Sequence, residues 1–61
     1  MLGPEVPEGY RLRLELEECF RIRDALTTLL GNVGPERVPE IERALLRISQ
    51  RIAELEEALQ R

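Results

Sequence analysis

The stretch Val38–Leu59, VPEIERALLRISQRIAELEEAL, decides how this chain folds. Its large apolar residues stand at Val38, Ile41, Leu45, Ile48, Ile52, Leu55 and Leu59, spaced alternately by three and four positions. That heptad periodicity lines one face of an α-helix with a stripe suited to lie against another helix. Ala44, Ser49 and Ala58 flank the stripe, and Leu46 and Ala53 widen it to one side. Small flanking residues let helices approach closely. A stripe wider than two positions per heptad suits a bundle better than a two-stranded coil.

Upstream of the stripe, Gly34-Pro35-Glu36-Arg37-Val38-Pro39-Glu40 nearly repeats Gly3-Pro4-Glu5-Val6-Pro7-Glu8. In both copies a proline stands where a first helical residue belongs, since its missing N–H costs nothing there. Glu8 and Glu40 follow in the first turn, where negative charge complements the helix dipole. The repeat predicts two helices with similar starts. The first is expected over residues 7–30 and the second over 39–60, with 1–6 as an extended lead-in and 31–38 as the loop. In the first helix Leu12, Leu16, Cys19, Phe20, Ile22, Leu26, Leu29 and Leu30 share nearly half the circumference, whereas Glu17, Arg21 and Thr28 face away. Gly31-Asn32 is expected to end it through a left-handed residue, and Gly34-Pro35 supplies turn chemistry. Two helices of equal length joined by a short loop form an antiparallel hairpin.

Charge gives an independent expectation of register. A turn near Gly34 sets Arg11 and Arg13 across from Glu56 and Glu57, Glu17 and Glu18 near Arg51, and Asp24 near Arg43 and Arg47. Each exposed pair contributes only about 0–1 kcal/mol, but all have the favourable sign.

The chain has 61 residues and one cysteine, Cys19, with no histidine. Neither an internal disulfide nor a histidine–cysteine zinc set is expected, and no cofactor is. A chain this short buries too little surface for a comfortable monomeric core, so oligomerisation is the remedy left. The expected fold is therefore an all-α two-helix antiparallel hairpin that pairs as a dimeric four-helix bundle. In plan it resembles the Rop type of bundle, two helical hairpins packed together. Interface residues are expected at Leu12, Leu16, Cys19, Ile22, Leu26 and Leu30 of the first helix. Ile41, Leu45, Ile48, Ile52, Leu55 and Leu59 supply the second. Arg23 falls within the apolar arc. Either its stem packs while its head reaches water, or it meets a carboxylate at an oligomer interface and sets register.

The residue types bound the function. Net charge is −3, which argues against nucleic acid or an anionic membrane as the main partner. No apolar run approaches the roughly 20 residues that span a bilayer, and MLGPEVPEG lacks the basic and apolar regions of a signal peptide, so a cytoplasmic location is expected. Arg43, Arg47 and Arg51 form a short basic strip without interleaved aromatic residues; pairing with the first helix's carboxylates is the simpler reading than phosphate binding. A thin hairpin offers no cleft to shift a catalytic carboxylate, so an enzyme is not expected. The expected role is protein–protein interaction, as a scaffold, adaptor or regulator, with a second copy or another protein's helix as partner.

One segment supports an alternative. Tyr10-Arg11-Leu12-Arg13-Leu14-Glu15-Leu16-Glu17 alternates apolar and polar residues as a strand does. Read that way, the order strand–helix–helix resembles the ribbon-helix-helix DNA-binding proteins. The resemblance implies a dimer whose residues 10–16 enter the major groove, with Arg11, Arg13 and Glu15 facing outward.

Overall fold

A computed structural model describes residues 7–61. Its elements are α1 (Glu8–Leu30), a short 3-10 turn (Pro35–Arg37) and α2 (Val38–Leu59). The two helices pack against each other as a hairpin. Their 23 and 22 residues make rods of about 33–35 Å at 1.5 Å per residue. The molecule measures only 13 Å along its shortest axis, the thickness of one helix, about 10–12 Å. The hairpin is a single layer with solvent on both faces. The expected lead-in over 1–6 lies outside the described residues.

Residues 10–16 are helical, and no strand occurs among the described residues. The alternating pattern yields because Leu, Arg and Glu are strong helix formers and because Leu12 and Leu16 face α2 on the helical phase. The residues that only a strand would align, Tyr10 and Leu14, stay 53% and 48% exposed. The ribbon of a ribbon-helix-helix protein is therefore not formed.

α1 starts after Pro7, whose carbonyl accepts hydrogen bonds from the Tyr10 and Arg11 amides at 3.0 and 3.2 Å. No side chain caps it. Its other end corrects an expectation. Gly31 has φ −78° and ψ −5°, right-handed like the helix itself, and no described residue has positive φ. The helix tightens instead of reversing hand: the Gly31 amide bonds to the Thr28 carbonyl at 3.2 Å and the Asn32 amide to Leu29 at 2.9 Å. The Asn32 side-chain amide adds a bond to the Thr28 carbonyl at 2.8 Å. Two late carbonyls are satisfied this way, so a left-handed closure has nothing left to do.

The chain then extends through Gly34 and takes the 3-10 turn, closed by the Arg37 amide on the Gly34 carbonyl at 3.0 Å. α2 follows directly, with Pro39 in its first turn. The connection thus contains a turn of helix where a plain loop is expected. Ile41, Ile52 and Leu55 of α2 are buried, as is Cys19 of α1. Leu12, Leu16, Phe20 and Ile48 pack on the cluster of Cys19, Ile52 and Leu55.

Candidate functional site

The expected α2 stripe faces α1 throughout: Ile41, Ile52 and Leu55 are buried, and Val38, Leu45, Ile48 and Leu59 partly so. On α1, Leu12, Leu16, Cys19, Arg23, Leu26 and Leu30 recur at spacings of four and three, and all are buried or partly buried. Arg23 therefore takes a seam position that an apolar residue would fill. Ile22, one residue before it, is 39% exposed and Leu29 is 46% exposed. These two sit beside the seam instead of within it.

The interhelical ion pair identifies that side of the seam. Arg51 donates from Nε and Nη2 to the two carboxylate oxygens of Glu15 at 2.7 and 2.9 Å, and from Nη1 to Glu54 at 3.2 Å. A planar guanidinium fits a carboxylate in this two-toothed way and fixes its orientation. The Glu15 pKa is lowered, first by the Arg51 hydrogen bonds and also by the Arg51 charge, against the opposing effect of desolvation. The Arg51 pKa is raised, chiefly by Glu15 and then by Glu54.

The partner is not the expected one. Among the described residues Glu15–Arg51 is the only ion pair between the helices; the others join Glu18 to Arg21, Arg37 to Glu40, Arg51 to Glu54 and Glu57 to Arg61 along the chain. The expected pairings of Arg11 and Arg13 with Glu56 and Glu57, of Glu17 and Glu18 with Arg51, and of Asp24 with Arg43 and Arg47 are not made. Counting back from the turn locates residues along the hairpin but ignores helical phase. In an antiparallel pair only the positions flanking the seam face one another; Arg13 and Glu56 also hold such positions, after Leu12 and Leu55, yet form no ion pair. Glu15 precedes Leu16 of the stripe and flanks the seam, as does Arg51 before Ile52. Glu17 and Glu18 project outward. Heptad labelling of both helices was the signal that could have found this pair.

Seven residues along each helix from Glu15 and Arg51, the same register sets Ile22 beside Ala44. Both line an open groove of about 560 Å³, together with Leu26, Ile48, Arg47 and Arg51. Leu26 and Ile48 belong to the seam and form its floor. Ala44 is too small to cover them, so the groove opens where the stripe has a short neighbour. Arg47 stands on the α2 rim with no carboxylate within ion-pair distance among the described residues.

The opposite edge of the seam is closed. Phe20 packs on the core cluster, and the Arg23 guanidinium lies 5.1 Å from the centroid of its ring. Arg23 is partly buried and meets an aromatic face within its own chain. Its stem covers apolar surface while the cation meets the negative face of the ring. The stack with Phe20 was legible as an i, i+3 spacing on one helix face.

The remaining groups offer little chemistry. Cys19 is a free thiol, 5% exposed and packed among aliphatic side chains. Among the described residues no three His, Cys, Asp or Glu side chains gather to hold a metal ion. Among the described residues no helix is long and apolar enough to cross a membrane. Compared with known proteins, the chain matches no protein-family model, no curated protein and no solved structure, so its role is read from its own geometry.

Proposed function

We propose that this chain is a protein–protein association module whose basic form is a homodimer, two hairpins packed as a four-helix bundle. The supporting observation is the incomplete cover of its own stripe. Among the described residues the single layer buries Cys19, Ile41, Ile52 and Leu55, while Leu26 and Ile48 line the open groove only partly buried and Ile22 and Leu29 stand exposed. Aliphatic surface left against water at a concave site is stabilised by whatever covers it. A chain of this size gains its missing core most directly by pairing with itself.

In that role the hairpin acts as scaffold, adaptor or regulator by holding two copies, and whatever each carries, at a fixed spacing. Sedimentation equilibrium at micromolar concentration tests the reading. A mass twice that of the chain is expected; a folded monomer at every concentration sinks it. A pull-down from the native host then identifies any further partner.

A further inference from the structure

The groove between Ile22 and Ala44 has a self-complementary rim, and this inference rests on the homodimer reading above. Glu40 and Arg47 are seven residues, two helical turns, apart on α2 and so share a face. Arg47 lines the groove. Glu40 thus stands on the turn side of Ala44 and Arg47 on the far side; Glu36, in the 3-10 turn, and Arg51, bound to Glu15 and Glu54, take no part. The midpoint of this pair falls beside Ala44. A two-fold axis crossing α2 at that point runs the two α2 helices antiparallel. It sets Arg47 of each copy opposite Glu40 of the other.

We infer that the groove is the dimer interface and that a second copy of this chain, related by that axis, is its occupant. Ala44 at the crossing point lets the two backbones approach closely, as small residues do wherever helices cross tightly. Ile22, level with Ala44 in the hairpin register, lies next to the axis and supplies aliphatic surface from both copies to cover Leu26 and Ile48. On the opposite edge of the seam Phe20 packs on the core with the Arg23 guanidinium against its ring. Tyr10, Leu14 and Leu46, exposed elsewhere, do not line the groove. Charge selects the occupant: Arg47, which has no carboxylate within ion-pair distance among the described residues, meets Glu40 of the second copy, whose own contact with Arg37 is a loose 3.6 Å.

The test is a mixing experiment on the full chain. Glu40→Arg alone opposes guanidinium to guanidinium across the axis, and Arg47→Glu alone opposes carboxylate to carboxylate. Each variant is expected to dimerise roughly tenfold more weakly than the parent, two modest exposed pairs being reversed in each case. Mixed at equal concentration, the two variants restore both pairs and form a heterodimer in preference to either homodimer, measured by native mass spectrometry. A purely local effect of either substitution on its own helix gives no such preference.

Ala44→Glu, on the groove rim, dissociates the dimer while circular dichroism shows the helices kept; Leu46→Glu, away from the groove, leaves it dimeric. A parent that is dimeric but shows no heterodimer preference and tolerates Ala44→Glu overturns the groove assignment and leaves the homodimer reading standing. A parent that is monomeric removes both. A groove taken instead by another protein's helix appears as a monomeric parent whose capture of that protein is lost with Ala44→Glu, and that result also overturns the inference.

Discussion

The two edges of the helical seam are built from the same pair of helices and end up opposite in character. On one, Phe20 lies over the core with the Arg23 guanidinium 5.1 Å from its ring, so a large side chain and a cation cover the aliphatic residues. On the other, Ala44 faces Ile22 and leaves an open groove above Leu26 and Ile48. The bidentate Glu15–Arg51 pair lies on this open edge, where Arg51 also lines the groove. Antiparallel packing brings like heptad positions together across each edge. One short residue at such a position is therefore enough to open a side that a large one would close. A closed edge stabilises the hairpin. An open edge leaves surface for another molecule.

Substitutions can break or sharpen this contrast. The largest effect belongs to neither edge: Leu55, 1% exposed, packs at the centre, and Leu55→Ala is expected to cost about 2–5 kcal/mol. A fall in melting temperature of roughly 10 °C or more would accompany it in so small a protein. Next comes the closed edge. Phe20→Ala removes a partly buried ring and the surface beneath Arg23, at about 1–3 kcal/mol by urea unfolding. The matching change on the open edge, Ile22→Ala, is expected to cost under about 1 kcal/mol at concentrations too low for association. Equal costs for Phe20→Ala and Ile22→Ala under those conditions would remove the asymmetry between the edges.

A pH series sharpens the role of the ion pair. The folded-state pKa of Glu15 lies below its ordinary value of 4.5. A depressed carboxylate pKa contributes stability that is present above the unfolded value and lost as pH falls through the folded one. The window thus opens near pH 4.5 and extends downward. Glu15→Gln should lower the urea midpoint at pH 7 and narrow the gap to the parent below that window. A constant gap across the series would show that the charge interaction is not what Glu15 contributes.

The smallest effect is expected at the turn. Gly31 is right-handed, and a Cβ built there meets only the Thr28 carbonyl oxygen, at 3.6 Å. Gly31→Ala should leave the fold intact and stabilise it by about 0.4–1 kcal/mol through the unfolded chain. Strong destabilisation would show that the turn needs a conformation only glycine supplies.

Much of the hairpin was legible in order along the chain. The α2 heptads include Ile41, Ile52 and Leu55, the buried residues of that helix, and the Pro-Glu starts place both helices to within a residue of where they begin. Helix propensity also resolves Tyr10–Glu17 correctly, because periodicity alone is ambiguous over eight residues while composition is not. The candidate site was less legible. Ile22 and Leu29 read as part of one broad apolar face with Leu26, yet the structure puts Ile22 and Leu26 in the groove lining and leaves Leu29 exposed outside it. The ion pair was missed because distance from the turn and helical phase must both be satisfied, and only Glu15 meets the two conditions. At Gly31-Asn32, residues that permit a left-handed closure did not need one.

What the sequence by itself determined is the pair of helices, their boundaries and the face each turns inward, since these follow from spacing, capping and propensity within one segment at a time. Which side of the seam stays open was decided only by tertiary structure. That choice depends on the longitudinal register between two segments far apart in the chain, and a shift of a single turn would set another residue beside Ile22 and give the Glu15 carboxylate no Arg51 to grip.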